Sequence, residues 1–387
     1  MNLIRLREAG RQEVPLRPED AWWLQESGVA RCGASRRSGH FDVQVGNVTG
    51  LISNGEVTVD IAPKMPVGEF LWLLTYASTG VKLTPEEVQA APTTVAEALA
   101  AVLVRLVGDA ISGGLPRGYW EDEQSNPTLR GRLRLTDQVT QHLGRLYPLE
   151  LTVSEFGVDI ADNQIMRAAC AHSLAALMAA GRPTTTGVQT QLRRLLRHFV
   201  GVTALPAGVA LPTWRKTSQN TQAWAAIEFS EFVLRGQGLD ATHGDRTSSG
   251  LLIKTWQVFE AAVARGLQEV RPEWKVRTQA VYPLVAGDRS LTMRPDLVVE
   301  WQGEVIAVAD TKYKTPDTRT DDLYQLFTYA HYLGLERSHL IYASDLDAPR
   351  HMSVGGTGIG VVAHGIDLRH PASELLPQLR VLAGNLF

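Results

Sequence analysis

The sequence Met293-Arg-Pro-Asp-Leu-Val-Val-Glu300 is followed after a short gap by Ile306-Ala-Val-Ala-Asp-Thr-Lys-Tyr313. Each stretch contains a run of apolar and β-branched residues, and a Gln-Gly pair lies between the runs, so the pattern predicts a β-hairpin. Asp296 precedes the first run and Asp310 follows the second, which brings both carboxylates to the same end of the paired strands. Lys312 lies two residues beyond Asp310, so their side chains share one face of the strand.

Two carboxylates and an ammonium at one point are suited to phosphodiester chemistry. Carboxylate oxygens are ligands that Mg²⁺ prefers, and a bound metal lowers the pKa of a water. A neighbouring lysine orients that water or neutralises charge in the transition state. Acidic and basic residues at strand ends are also often ordinary solvated residues, and the stretch alone leaves that alternative open. We expect Mg²⁺, with Mn²⁺ as a substitute, on Asp296, Asp310 and the carbonyl of Thr311, with Lys312 beside it.

The order Pro295-Asp296, a gap of 13 residues, and then Asp310-Thr-Lys312 resembles the PD-(D/E)XK nuclease motif. Nucleases of this kind often carry an acidic residue on the helix that precedes the motif strands. Residues 254–267 have the periodicity of a helix, and Glu260 lies on it among apolar neighbours. The resemblance therefore implies that Glu260 is a further metal ligand.

A second predicted helix, residues 321–333, follows the motif. Gln325 and Tyr329 are four residues apart on it and are therefore neighbours on one face. The pair resembles the Gln-x-x-x-Tyr signature of RecB-like nucleases, which implies that both side chains face the catalytic groups. The alternative is a plain amphipathic helix with a surface glutamine and tyrosine.

Composition describes a globular protein with an ample core. The chain has 387 residues, of which 44% are hydrophobic and 20% charged, and this length suggests two or three domains. The net charge of −3 does not by itself indicate a nucleic-acid binder. Two cysteines far apart fit a reducing compartment. Neither a signal peptide nor an apolar run of membrane-spanning length is evident, so we expect a cytoplasmic protein without membrane contact.

The pattern along the chain predicts a multidomain α+β fold. Residues 1–90 are β-rich, 91–245 are mainly helical, and 246–387 form an α/β nuclease domain with a mixed central sheet. The Gly/Thr/Ser-rich stretch 236–250 is the predicted linker. Within the middle region, residues 118–123 are predicted to be a loop, and the three acidic residues there suggest a solvated loop more strongly than a second metal site.

Two groups of arginines are candidate binding residues. Arg36 and Arg37 lie in a basic, Gly/Ser-rich segment that fits either a solvated loop or a contact arm for a partner. Arg193, Arg194 and Arg197 lie along one side of a predicted helix, where they fit either a solvated face or contacts to DNA phosphates.

Several motifs occur in an order that resembles the McrC family, over roughly residues 50–370. They are Val59-Asp-Ile-Ala-Pro-Lys-Met65, Leu129-Arg-Gly-Arg132, Asp162-Asn163, Gly250-Leu-Leu252, Phe259-Glu260, Pro295-Asp296, Asp310-Thr-Lys312 and Tyr324-Gln-Leu-Phe-Thr-Tyr329.

The resemblance implies a nuclease subunit of a modification-dependent McrBC restriction system. Its partner would be an McrB-like AAA+ GTPase ring that reads methylated cytosine, while McrC stimulates GTP hydrolysis and cuts double-stranded DNA. This chain contains no Walker A sequence, in agreement with a motor on another protein. One site per chain suggests that two copies act in double-strand cleavage. The alternatives are a stand-alone repair or junction nuclease of the same fold and an adaptor that activates the ring without cutting.

Overall fold

A computed structural model of the chain describes residues 2–89, 94–180, 186–206, 208–235, 249–285, 288–313, 320–346 and 348–386. The protein is a mixed α+β structure, which confirms the fold class at that level. Both predicted domain boundaries, at 90/91 and 245/246, lie outside the described residues, so the three-domain division stays a prediction. No helix in the described ranges is long and apolar enough to cross a membrane.

The helices are α1 Pro18–Glu26, α2 Val67–Thr79, α3 Pro85–Gln89, α4 Val95–Ala110, α5 Leu135–His142, α6 Ala161–Ala179, α7 Thr186–Leu196, α8 Trp224–Arg235, α9 Thr255–Val270, α10 Thr320–Leu333 and α11 Leu375–Gly384. The strands are β1 Asn2–Arg7, β2 Arg11–Pro15, β3 Ala30–Ala34, β4 His40–Val45, β5 Val48–Ser53, β6 Val57–Ala62, β7 Gly118–Asn126, β8 Arg132–Leu133, β9 Leu149–Gly157, β10 Ser249–Lys254, β11 Lys275–Thr278, β12 Tyr282–Val285, β13 Asp288–Met293, β14 Leu297–Trp301, β15 Glu304–Lys312, β16 Arg337–Tyr342, β17 Arg350–Ser353 and β18 Gly360–Gly365.

The contacts divide the chain into two compact units. The first consists of Met1–Leu99, Ala179–Gly181 and Gly236–Phe387, and the second of Ala100–Met178 and Arg182–Arg235. The first unit therefore contains both the β-rich N-terminal part and the strands that carry the nuclease-like motif.

One sheet of the first unit has the strand order β1-β6-β5-β10. β5 and β6 pair antiparallel, with Ser53 opposite Thr58, on either side of a turn at Ser53-Asn-Gly55. The Asn54 side chain accepts the backbone N–H of Val57 at 2.8 Å and so fixes the turn. β10 pairs antiparallel with β5, although it lies far along the chain. β2, β4 and β3 form a neighbouring three-stranded sheet whose inward apolar residues join the same core.

The nuclease-like motif lies in a six-stranded mixed sheet with the order β11-β14-β15-β16-β18-β17. β14 and β15 form the predicted antiparallel hairpin, and β15 runs parallel to β16 after the α10 crossover. Both α9 and α10 contact β15, and Leu326 and Tyr329 of α10 are buried with Val308 and Leu340 of the sheet. The helices are thus fixed against the strand that ends in Asp310 and Lys312.

The second unit contains a sheet with the order β7-β9-β8, together with α5, α6, α7 and α8. The prediction of a loop at residues 118–123 is wrong, because this segment is the start of β7 and pairs with β9 along its length. Alternate β7 side chains are half-buried, so Glu121 and Glu123 lie on the exposed face. Backbone pairing across nine residues outweighs the low strand propensity of the acids.

Two buried histidines face each other across adjacent strands of the mixed sheet. His339 and His364 are 0% and 3% exposed, and His339 Nδ1 lies 3.0 Å from His364 Nε2. Burial lowers the pKa of His339 to about 3, and the charges of Arg337 and His351 add to the shift. Burial likewise lowers the pKa of His364 to about 4. The folded protein therefore holds both rings neutral where the unfolded chain takes up protons.

Folding stability is expected to fall as pH decreases below the unfolded histidine pKa of about 6.5. The folded pKa values are depressed, so the contribution of the pair is complete above pH 6.5 and is lost toward pH 4. Linkage gives a loss on the order of 2 kcal/mol for each histidine by pH 5. Urea unfolding between pH 8 and 5 measures the loss. The double variant H339N/H364Q keeps neutral hydrogen-bonding groups at both positions, and an unchanged pH dependence in it would exclude the histidines as the cause.

Candidate active site

The β14–β15 hairpin positions both predicted carboxylates. Leu297 pairs with Ala309. Asp296 lies directly before Leu297 and Asp310 directly after Ala309, so both residues lie at the same end of the hairpin. Asp310 is 3% exposed, whereas Asp296 is half-buried. The prediction that the two residues meet at one end of the sheet is confirmed in position.

Lys312 lies between two carboxylates. Its Nζ is 2.5 Å from Asp310 Oδ2 and 3.3 Å from Asp322 Oδ1. Burial disfavours the charged amine, but the negative charges of Asp310 and Asp322 outweigh it and raise the pKa of Lys312 above its usual value. The ammonium is therefore held in its protonated form inside the cluster.

Asp296 is oriented by donors from two directions. The Thr311 backbone N–H and hydroxyl donate to its Oδ2 at 2.8 and 3.0 Å. The side-chain amide of Gln279 donates to its Oδ1 at 2.9 Å, and the Gln279 backbone N–H donates to its carbonyl at 3.1 Å. Thr311 thus contacts Asp296 as a donor, while its carbonyl as a metal ligand stays a prediction.

Glu260 joins the cluster from α9. It is 6% exposed, and its Oε1 accepts the same Gln279 amide at 2.9 Å, so one side chain bridges Glu260 and Asp296. Burial raises the pKa of Glu260 to about 7 against the lowering effect of Gln279, and the charges of Asp296 and Asp310 raise it further. The predicted helix with its acidic residue is therefore placed beside the hairpin.

Gln325 and Tyr329 lie on one face of α10, as expected from their spacing. The Gln325 amide donates to the Tyr329 hydroxyl at 2.6 Å, and Tyr329 is 4% exposed. Burial raises the pKa of Tyr329; the bond from Gln325 opposes this shift, while the nearby charges of Asp310 and Asp296 add to it. The tyrosine therefore lies within electrostatic reach of the carboxylates.

The carboxylates of this cluster supply the oxygen donors that a divalent cation prefers. In the described part of the chain, no three His, Cys, Asp or Glu side chains already stand in a metal-binding arrangement. Within the cluster, the Gln279 amide bridges Glu260 and Asp296, and the Lys312 ammonium lies against Asp310. Asp310 Oδ2 is buried, and the Lys312 ammonium lies 2.5 Å from it. Burial and the charge of Asp296 also raise the pKa of Asp310. Clustered hard oxygen ligands fit Mg²⁺.

The two arginine groups lie on other surfaces. Arg36 and Arg37 are exposed at the tip of the β3–β4 hairpin in the first unit. Arg193, Arg194 and Arg197 are exposed on α7 and just beyond its end, in the second unit. Their roles stay predictions.

Two site residues were missed from the sequence, Gln279 and Asp322. Asp322 precedes Gln325 by three residues on α10, so the helical spacing that selected Gln325 and Tyr329 also indicates Asp322. Gln279 has a backbone φ of 50° in the left-handed region, which orients its amide toward the carboxylates. A glutamine in a loop gives no sequence signal of this conformation.

On the nuclease chemistry that the motif predicts, replacing Asp322 with asparagine is expected to reduce DNA cleavage about tenfold. The change removes one of the two charges that hold the Lys312 ammonium, and charge-assisted contacts of this kind contribute about 1.5–3 kcal/mol. The measurement is the cleavage rate as a function of pH. Asp321 is an exposed neighbour in the same helical turn, and D321N is the matched control. Equal rates for D322N and wild type would remove Asp322 from the site.

Comparison with known proteins places the chain in a family. The sequence model described as "McrBC 5-methylcytosine restriction system component" matches residues 43–343, more than half of the chain. No curated protein matches this chain. Among solved structures, one is a refined half-complex from the tetradecameric assembly of Thermococcus gammatolerans McrB AAA+ hexamers with bound McrC. A chain of it matches with a TM-score of 0.58 and 16% identity over 100% of both chains, which indicates a shared fold.

A second match is to the cryo-EM structure of the Thermococcus gammatolerans McrBC complex. It has a TM-score of 0.40 and 16% identity, over 70% of this chain and 88% of that one. The family match confirms the resemblance drawn from the ordered motifs. The chain therefore belongs to the family of McrBC 5-methylcytosine restriction system components.

Proposed function

We propose that this chain is the DNA-cutting subunit of its restriction system, a metal-dependent endodeoxyribonuclease with a PD-(D/E)XK site that acts on methylated double-stranded DNA. The observation that supports this most strongly is the convergence of Glu260, Asp296 and Asp310 around the buried end of β15, with Lys312 against them. Three buried carboxylates beside one ammonium lower the stability of the fold, because buried like charges oppose folding. A purely structural role therefore does not account for them.

Glu260, Asp296, Asp310 and the Thr311 carbonyl would hold the cation, for which Mg²⁺ is the proposed ion and Mn²⁺ a substitute. When bound, such an ion supplies charge neutralisation at a phosphate and a more acidic water. The raised pKa values of Glu260 and Asp310 are the expected signature of a site in which a positive charge compensates the carboxylates.

The other side chains prepare the site for the reaction. Lys312, kept protonated by Asp310 and Asp322, is positioned to orient the attacking water and to neutralise charge on the phosphate. Thr311 and Gln279 fix the rotamer of Asp296, so the carboxylate is oriented before substrate arrives. Gln325, which is exposed and hydrogen-bonded to the buried Tyr329, offers a polar group for the DNA backbone.

The proposed partner is an McrB-like AAA+ GTPase ring, whose GTP hydrolysis this chain would stimulate. The matched structure contains McrB hexamers with bound McrC. A net charge of −3 supports the same assignment, because a chain that is not basic gains DNA affinity from a partner. Arg193, Arg194 and Arg197 would add phosphate contacts, and two copies of the chain would cut the two strands.

The experiment combines the full chain with its AAA+ partner and GTP on methylated and unmethylated plasmid DNA. Cleavage of methylated DNA that requires Mg²⁺ or Mn²⁺, and that stops in a chelator, is the expected result. Cleavage that is independent of the partner would instead indicate a stand-alone nuclease. Stimulated GTP turnover without any cleavage would indicate an adaptor.

A further inference from the structure

A buried carboxylate lies close to the candidate active site but takes no part in it. Glu8 directly follows β1, and its side chain is 2% exposed. β1 runs parallel to β6, and the Glu8 backbone N–H donates to the Ala62 carbonyl at 2.9 Å. The residues that follow these two strands are therefore adjacent at one edge of the N-terminal sheet.

Three donors surround this carboxylate. The Lys64 backbone N–H donates to Glu8 Oε2 at 3.0 Å, and the Thr255 hydroxyl donates to Oε1 through a short hydrogen bond. The hydroxyl of Tyr313 forms the third hydrogen bond to Glu8. We call Glu8, Lys64, Thr255 and Tyr313 the junction cluster.

Two members of the junction cluster begin or follow the elements that carry the candidate catalytic groups. Thr255 is the first residue of α9, which carries Glu260, and its backbone N–H donates to the Asn47 carbonyl at 3.2 Å. Tyr313 is the residue directly after Lys312 and is 7% exposed. A single carboxylate therefore holds both the start of α9 and the end of the catalytic strand.

The tyrosine ring is fixed as well as its hydroxyl. The Phe259 ring lies 6.1 Å from the Tyr313 ring between centroids, and Lys64 Nζ lies 4.9 Å from the Tyr313 centroid. Phe259 adjoins Glu260 in sequence. The ring contact thus connects Phe259, which adjoins the proposed metal ligand Glu260, with Tyr313, which adjoins Lys312.

A carboxylate is a costly choice for this position. Burial raises the pKa of Glu8, and its hydrogen bonds from Thr255 and Lys64 only partly oppose this. An apolar side chain would fill the same space without the desolvation cost. A role in geometry explains the acid, since only an acceptor with two oxygens satisfies donors from three separate segments at once.

We propose that the junction cluster positions the active site, with Glu8 and Tyr313 as positioning residues that set Lys312 and Glu260 relative to each other. This inference rests on the proposed nuclease function and gives the chain before residue 43, outside the family match, a part in it. Glu8 and Tyr313 touch neither substrate nor cation in this scheme and act only through their neighbours.

Y313F and E8Q test the proposal in the full chain with its partner. Y313F removes one hydroxyl and keeps the ring, and E8Q replaces one acceptor oxygen by a donor. Misplacement of a catalytic group by about 1 Å can cost ~10²-fold in rate. We expect each variant to lower kcat for DNA cleavage by about tenfold or more, with KM for DNA and GTPase stimulation unchanged. Because both changes alter the contact between Glu8 and Tyr313, the double variant should lose less than the sum of the two single losses.

Tyr282 supplies the matched control, because it is a partly buried tyrosine of the same unit whose hydroxyl makes no hydrogen bond among the described residues. Y282F should cut at the wild-type rate. A kcat for Y313F equal to that of Y282F, or kcat losses that simply add in the double variant, would overturn the proposal.

Hydrogen exchange separates this inference from the proposed function. The Thr311 amide donates to Asp296, and it should exchange faster in Y313F and E8Q than in wild type or Y282F. If wild type does not cut DNA, the nuclease proposal fails, and the positioning claim is still decided by this amide. Unchanged Thr311 exchange in both variants would overturn the positioning claim even if wild type cuts.

Discussion

Replacing Asp310 with asparagine, or Lys312 with alanine, is expected to reduce DNA cleavage by about 10²–10³-fold, the usual cost of removing a group that stabilises charge in the transition state. Asparagine keeps the shape of Asp310 but removes its negative charge and its capacity to ligate a cation. Alanine removes the ammonium that lies 2.5 Å from Asp310 Oδ2. Single-turnover cleavage of methylated plasmid, with the AAA+ partner and GTP present, measures the loss.

Two controls separate lost chemistry from lost structure. Glu304 is an exposed acid at the opposite end of β15, so E304Q should cut at the wild-type rate. Both site variants should still stimulate GTP turnover, because neither change reaches the exposed hairpin that carries Arg36 and Arg37. If D310N and K312A both cut like wild type, these residues are not the catalytic centre.

The hairpin that carries the site was predictable because its signals are local. Two apolar runs, a Gln-Gly turn and polar residues at the strand ends define the pairing of β14 with β15, and pairing then determines where Asp296 and Asp310 meet. The helical spacing of Gln325 and Tyr329 is equally local. Each of these predictions depends only on residues that are close to each other in the sequence.

The parts that sequence reasoning missed depend on long-range contacts. β10 completes the N-terminal sheet by pairing with β5, although the segment was assigned to the start of the nuclease domain. Gly50 permits this pairing, since its φ is 122° and a Cβ there would lie 1.9 Å from the Leu251 carbonyl oxygen. A glycine in an apolar strand indicates a close approach, but it does not identify which distant segment approaches. Gln279 and Glu8 were missed for the same reason.

These long-range contacts also determine how GTPase stimulation and DNA cleavage can be tested separately. A fragment that ends at residue 245 would lack β10 and two partners of Glu8, Thr255 and Tyr313, so point variants in the full chain are the cleaner tool. The β3–β4 hairpin offers them. The Ser35 hydroxyl donates to Glu13 at 2.7 Å and accepts the Arg37 backbone N–H at 3.1 Å, so the tip has a defined conformation. Arg36 and Arg37 project from it into solvent.

The double variant R36A/R37A is expected to lose at least about tenfold in stimulation of the partner's GTPase, while GTP turnover by the ring alone stays at its basal rate. An arginine supplied by a second protein can contribute ~10³–10⁵ in rate at a nucleotide site, through contacts with phosphate charge. R36K/R37K keeps both charges without the planar fork and should restore only part of the effect. The measurement is GTP turnover by the ring with each variant added, beside K312A as the variant that stimulates without cutting. Full stimulation by R36A/R37A would show that another surface of this chain activates the ring. Loss of stimulation by K312A would show that activation and cleavage are not separable in the way that the positions of these residues suggest.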